Sequence, residues 1–316
     1  MTIPHADLRP RMAVLDRTRT VDRTLLHRTH LSEVFLTDAV EVDADRYLTA
    51  AHLPPSHPYY TDHLLAPGVP DPLLLLECTR QAETYGGHAF REVGFDRKFI
   101  LLRWTLDLPG LASAPAGHEL TMVTTTSGRK GTGPRIRALT YETELYLGDH
   151  HLGRTVIDVG YQPAESYRYL RSQRRGTPPP TSAAAGLAIT AGTPADPLVA
   201  GRGRTDNVLL VDVALEGSEL SAGVRAVTAN PSMFDHAQDH LPGMVLVEAA
   251  RQAAVAVAGA TPSALLTGMD LECHRYAELD SPLRVIAHRG AGRTEIRFEQ
   301  DGEVVATGGV RLVVGS

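Results

Sequence analysis

Two stretches of this chain align without a gap, 171 positions apart: PLLLLECTRQA, beginning at Pro72, and GMVLVEAARQA, beginning at Gly243. Glu77, Arg80 and Gln81 of the first fall on Glu248, Arg251 and Gln252 of the second. A charged ExxRQA signature recurring inside two otherwise apolar runs points to duplication of one structural unit, and it restricts the folds open to the chain more than any other feature. The 316 residues accommodate two such units of about 150 residues each.

The text around each copy runs in the same order. A short strand reads EVFLTD from Glu33 to Asp38, and VLLVDVAL in the second copy. A loop rich in Pro, His or Asp follows, then the apolar run, then alternating segments such as RIRALTYETELYL and RTEIRFEQ that read as strands. The apolar runs are too long and too continuously apolar for surface strands, so they are expected to be buried helices, the first stopping at Gly86-Gly87. One buried helix and several antiparallel strands per unit suit a curved sheet wrapped round its helix, an α+β architecture. The boundaries read as an N-terminal lead-in over 1–27, a first unit over 28–163, a Pro/Ser/Ala-rich linker over 164–205 that includes RSQRRGTPPPTSAAAG, and a second unit over 206–316.

Composition removes several classes. A net charge of −6 argues against a surface that binds nucleic acid throughout. The longest clean apolar run, Ala253–Ala260, is far short of the roughly 20 residues of a membrane span. The opening MTIPHADLRPRM lacks the apolar centre of a secretion signal. Cys78 and Cys273 are the only cysteines, too few for a disulfide scaffold or a Cys-rich metal site, so a reducing cytoplasm and no metal are expected. Of 31 basic residues all but Lys98 and Lys130 are arginine, a bias that base composition of the genome explains as readily as function.

The repeated motif carries the candidate chemistry. Glu at i, Arg at i+3 and Gln at i+4 share one helix face. On an apolar helix these charges are either mutually paired for structure, within or across the two copies, or they form an active site with a carboxylate acid or base, a guanidinium anion clamp and an orienting amide. The second copy precedes its helix with HLPG, placing His240, Gly243 and Met244 where helix N-terminal amides are unpaired and can polarise a carbonyl. The first copy has Asp71-Pro72 in place of Pro242-Gly243, and Val69 in place of His240, with His57 of SHPYY among its nearest histidines.

HLPGMVLVEAARQA resembles the segment that opens the central helix of hotdog-fold β-hydroxyacyl-carrier-protein dehydratases. The doubled ExxRQA, HPYY…DPLLLLE and THLSEVFLTD resemble more closely the A-factor biosynthesis hotdog family, the tandem-hotdog enzymes of actinobacterial γ-butyrolactone and butenolide signal synthesis. The resemblance covers roughly residues 28–162 and 206–313. It implies a tandem hotdog packed as a pseudodimer with sites between the halves. It also implies an acyltransferase that moves a β-ketoacyl group from an acyl-carrier-protein thioester to dihydroxyacetone phosphate, followed by ring-closing condensation, without a cofactor. The residues it singles out are Glu77, Arg80, Glu248 and Arg251 as catalytic, and Gln81, Gln252, His240, His57, Gly243 and Met244 as substrate-binding. The implied partners are the acyl carrier protein and dihydroxyacetone phosphate, with no nucleic acid or membrane, and the chain acts as a monomeric pseudodimer or a homodimer. The alternatives are a dehydratase or thioesterase of the same fold, and a non-catalytic acyl-ligand-binding hotdog protein.

Overall fold

The computed structural model describes residues 8–65, 68–184, 191–259 and 264–314; the first seven residues of the expected lead-in, and residues 185–190 of the expected linker, lie outside them. In the first half a short helix α1 (Arg9–Ala13) leads to β1 (Leu36–Glu41), β2 (Arg46–His52), the long helix α2 (Pro72–Ala89), and four strands, β3 (Arg97–Asp107), β4 (Glu119–Lys130), β5 (Ala138–Leu147) and β6 (His150–Pro163). A helix α3 (Ala164–Arg175) follows. The second half repeats the order with β7 (Leu210–Glu216), β8 (Glu219–Val224), α4 (Gly243–Val257), β9 (Ala264–Cys273), β10 (Leu283–Arg289), β11 (Thr294–Gln300) and β12 (Glu303–Val314).

All twelve strands join in one antiparallel sheet, ordered β1-β2-β4-β5-β6-β3-β9-β12-β11-β10-β8-β7. Read outward from its centre, each half has the same order, so the sheet is two copies of one six-stranded unit. They join where β3 pairs with β9, with Trp104 opposite Leu271 and Thr105 opposite Asp270. Each half wraps its own helix. Of α2, 14 residues are buried, and of α4, every residue but Gly243. Their apolar side chains belong to one continuous core that spans both halves.

The strand expected over Glu33–Asp38 begins three residues later, because Leu31–Glu33 forms a 3₁₀ turn first. Nothing in RYLTAAH alternates, yet it forms β2, with its first six residues buried. The reason is a second, small core: Leu8 and Leu15 of the lead-in cover Leu48, Ala50 and Val123 on the outer face. A strand covered on both faces loses the period-2 signal. The opening of the expected linker is helical instead of extended, and α3 buries Tyr167 and Arg171, one turn apart. Among the described residues no helix is long and apolar enough to cross a membrane.

Helix α2 starts with Asp71 as N-cap, its carboxylate accepting from the Leu73 amide at 2.9 Å, and Pro72 in the first turn. It does not stop at Gly86-Gly87 as expected but runs through both to Ala89. These glycines serve close packing. A Cβ on Gly86 would lie 2.4 Å from Cζ and Oη of Tyr47, a fully buried ring whose hydroxyl donates to the Ala82 carbonyl at 2.9 Å. Gly86→Ala is therefore expected to lower stability by about 1–3 kcal/mol through overpacking, despite alanine's better helix propensity. Urea unfolding of the variant beside the parent chain measures this; an unchanged midpoint would contradict it.

Candidate active site

In both helices the carboxylate of the motif is clamped by two arginines. Arg80 donates to Glu77 from Nε at 2.7 Å and from Nη2 at 2.8 Å, and Arg28 adds an ion pair to the same carboxylate. In the second half Arg251 donates to Glu248 from Nε at 2.9 Å and from Nη2 at 2.6 Å, and Arg202 approaches it from Nε at 2.9 Å and Nη2 at 2.8 Å. Both carboxylates are fully buried. Burial would raise their pKa, but the paired guanidinium groups outweigh it and hold each carboxyl down at about 2. Glu77 and Glu248 are thus weak proton acceptors at neutral pH. What they do is hold two arginines each in fixed geometry.

The glutamines anchor this cluster to the chain. Gln81 donates to the Glu33 carbonyl at 2.7 Å and to Glu77 at 2.7 Å, while its oxygen accepts from the Phe35 amide at 2.9 Å. Gln252 repeats the pattern on Glu248, the Asn207 carbonyl at 2.8 Å and the Leu209 amide at 2.8 Å.

Sequence reasoning missed Arg28 and Arg202. A signal existed: HRTHLSEVF from His27 aligns with GRGRTDNVL from Gly201 once the repeat is extended upstream. His27 and Gly201 both adopt left-handed backbone, with φ of 53° and 69°, which turns the following arginine under the helix. The same alignment pairs HPYYTD from His57 with NPSMFD from Asn230. Each of these loops clasps the arginine segment of the other half. Asp235 accepts from the Thr29 and His30 amides at 2.5 and 3.0 Å, and Asp62 accepts from the Arg204 amide at 3.2 Å and the Asn207 side chain at 2.8 Å.

Pseudosymmetry ends at the space beside the arginines. A cavity of about 490 Å³ lies between α2 and the start of α4, within the usual range for small-ligand sites. Arg28, Arg80 and Glu83 line it on one side; His240, Gly243 and Met244 line it on the other. Pro242 at the N-cap of α4 supplies no side-chain oxygen, so no cap competes for the amides of the first turn. Around Arg202 and Arg251 the corresponding space is filled. Tyr59 stacks on Arg202, 4.3 Å from guanidinium carbon to ring centroid, and its carbonyl accepts from Nη1 at 2.8 Å. Asp71 stands 3.7 Å from the same guanidinium. The residue matching Tyr59 in the other half is Ser232, which lines the open cavity.

His240 is held beside that cavity by an adjacent carboxylate. Its Nδ1 lies 2.6 Å from Asp239 Oδ1, which also accepts from the Tyr167 hydroxyl of α3 at 2.9 Å. Arg171, one turn further along α3, donates to the Asp239 carbonyl at 2.9 Å and to Glu278 at 2.8 Å. Burial would raise the Asp239 pKa, yet its hydrogen bonds to His240 and Tyr167 bring it down to about 2. With Nδ1 engaged by a carboxylate, Nε2 is the nitrogen left for chemistry.

The sequence-predicted residues therefore divide. Arg80, His240, Gly243 and Met244 meet at the cavity. Glu77 and Gln81 sit directly behind Arg80. Glu248, Arg251 and Gln252 form the matching cluster of the filled half. His57 is not among the residues lining the cavity; it is buried against Phe35 and Tyr60, its Nε2 3.3 Å from Glu33. Its equivalent is Asn230, which donates to Asn207, the equivalent of Glu33, at 3.2 Å.

Comparison with known proteins agrees with this architecture. Residues 11–160 and 188–315 match the A-factor biosynthesis hotdog domain. The chain is 35% identical over 273 residues to the 2-oxo-3-(phosphooxy)propyl 3-oxoalkanoate synthase of Streptomyces virginiae, covering 84% of this chain and 86% of that protein. It is 30% identical to the synthase of the same name from Streptomyces griseus, covering 89% of this chain and 91% of the other. Among solved structures, the 12:0-ACP thioesterase from Umbellularia californica superposes with a TM-score of 0.53 at 10% identity, over 87% of this chain and 99% of that one, a likeness of fold.

Proposed function

The chain belongs to the A-factor biosynthesis hotdog family, and we propose that its open cavity transfers a 3-oxoacyl group from an acyl-carrier-protein thioester to the free hydroxyl of dihydroxyacetone phosphate. The product is a 2-oxo-3-(phosphooxy)propyl 3-oxoalkanoate, whose activated methylene then condenses on the neighbouring ketone, with loss of water, to close a phosphorylated butenolide ring.

One observation carries this reading: two preorganised arginines face an uncapped helix N-terminus across a single cavity. Arg28 and Arg80 are the anion site. Glu77 neutralises part of their charge and fixes their planes, and the phosphate completes their hydrogen bonding. Arg80 has a quarter of its side chain exposed, and its Nη1 makes only a 3.5 Å contact with Thr84, so a guanidinium donor faces the cavity. At the opposite wall the Gly243 and Met244 amides, aided by the helix dipole, receive the negative charge that develops on the thioester oxygen. His240, oriented by Asp239, stands beside the same atoms. The arginines tether one reactant and the amides orient the other, so the reaction becomes effectively intramolecular. Lys98 and Arg168, exposed residues of the lining, suit an acidic carrier protein delivering the thioester. One chain supplies both walls, which supports a site formed between the two halves of a single pseudodimeric chain, whether that chain acts alone or as a homodimer.

The test is incubation with a 3-oxoacyl thioester and dihydroxyacetone phosphate. Thiol release is expected only when the phosphate acceptor is present, with a phosphorylated ester detected by mass spectrometry. Thiol release without the acceptor would assign a thioesterase, and binding without turnover at several chain lengths would assign a ligand-binding protein.

A further inference from the structure

Glu83 is a buried carboxylate that neither arginine cluster uses. It lies on α2 one turn beyond Arg80, is 4% exposed, and lines the cavity. No basic side chain reaches it within ion-pairing distance among the described residues; its polar neighbours are the Thr84 hydroxyl, 3.0 Å from Oε2, and the Tyr161 hydroxyl, which donates to Oε1 at 3.4 Å. Tyr161 is itself held by Tyr141, with 2.7 Å between hydroxyl oxygens. In α4 the matching residues are Ala254 and Val255. The carboxylate therefore occurs only in the half whose arginines open onto a cavity. An uncompensated buried carboxyl costs stability, so a chain retains one where it is used.

Resting on the acyl-transfer reading above, we propose that Glu83 is the catalytic base that takes the proton from the hydroxyl of dihydroxyacetone phosphate. The O–H bond breaks toward Glu83, the oxygen adds to the thioester carbon, the C–S bond breaks, and the departing thiolate takes the proton back, leaving Glu83 ionised for the next cycle. Glu77 cannot serve, since two arginines occupy its carboxylate. Glu83 lines the same cavity about one helical turn, roughly 5 Å, along α2 from Arg80, a separation that suits a three-carbon acceptor with its phosphate at Arg80 and its free hydroxyl toward Glu83. Burial, opposed more weakly by Thr84, Arg80 and Tyr161, lifts its carboxyl to about 7, which suits proton exchange near neutral pH.

The experiment compares the full chain with Glu83→Gln, which keeps the shape and the Tyr161 contact, and with Glu83→Ala, which copies the residue of the other half. Turnover of a 3-oxoacyl thioester with dihydroxyacetone phosphate is measured from pH 5 to 9. For the parent chain, kcat/KM is expected to rise with pH to a plateau, with a midpoint near 7. Glu83→Gln is expected to lower kcat at least about 100-fold with KM for dihydroxyacetone phosphate within about threefold, and formate is expected to restore part of the activity of Glu83→Ala. Retention of more than a tenth of kcat by Glu83→Gln, or the same acid limb in either variant, would overturn the assignment of Glu83 while leaving acyl transfer intact. Absence of ester from the parent chain would overturn both.

Discussion

Arg80→Met is expected to lower kcat/KM for dihydroxyacetone phosphate about 100-fold or more, whereas Arg251→Met, the same change at the duplicate position, is expected to act on stability. A charge-assisted bidentate contact is worth about 1.5–3 kcal/mol, and roughly 2.8 kcal/mol corresponds to a factor of 100. Arg80 has a quarter of its side chain exposed, toward the cavity, and Nη1 makes only a long contact of 3.5 Å with Thr84. Removing it leaves Glu77 paired with Arg28, and because the vacated position opens onto the cavity, water can solvate the freed side of the carboxylate, so the stability cost is smaller than at Glu248. Arg251 is 8% exposed and packs beside Gly201 and Val255. Its loss leaves the buried Glu248 with half its compensation, at a cost of about 3 kcal/mol, and takes nothing from the cavity. Acceptor kinetics and urea unfolding of both variants separate the effects. If Arg251→Met lost the acceptor and Arg80→Met only stability, the cavity would be assigned to the wrong half.

This asymmetry was only partly visible in the sequence. The duplication, both central helices and ten of the strands, all but β2 and β8, follow from patterns of period 3.6 and 2 that survive because each element has one face or one stripe to bury. The two motifs in α2 and α4 are equally plain, since four residues coincide. Helix α3 was hidden by its composition: YRYLRSQRR looks like a basic linker, and its one buried stripe is Tyr167 and Arg171, polar residues whose partners Asp239 and Glu278 are remote in sequence. Arg28 and Arg202 were hidden for a related reason. Neither sits in a periodic element, and each becomes meaningful only when a left-handed residue before it turns it beneath a helix 46 to 49 positions away. The motif alone also suggested Glu77 and Glu248 as acids or bases. Their role depends on how many cations surround them, and that is a property of three-dimensional packing.

One pair of residues, Tyr59 and Ser232, sets which half is filled, and exchanging them is expected to change the openness of each half. Tyr59 fills the space above Arg202; Ser232 leaves the equivalent space above Arg28 empty. Ser232→Tyr is expected to place a ring between Arg28 and the α4 amides and to abolish acceptor binding. Tyr59→Ser is expected to cost about 3–5 kcal/mol, the loss typical for removing a buried aromatic ring, since Tyr59 is 1% exposed and Arg202 would lose its stacking partner in an apolar setting. The new space would not recreate an active site. Asp71 still caps α2 and meets Arg202 with a second negative charge, and Ala254 stands where the open half has Glu83. Calorimetric titration of Ser232→Tyr with dihydroxyacetone phosphate and urea unfolding of Tyr59→Ser read the two effects independently. Undiminished binding in the first would show that the acceptor does not lie over Arg28, and an unchanged midpoint in the second would show that the filled half does not depend on its tyrosine.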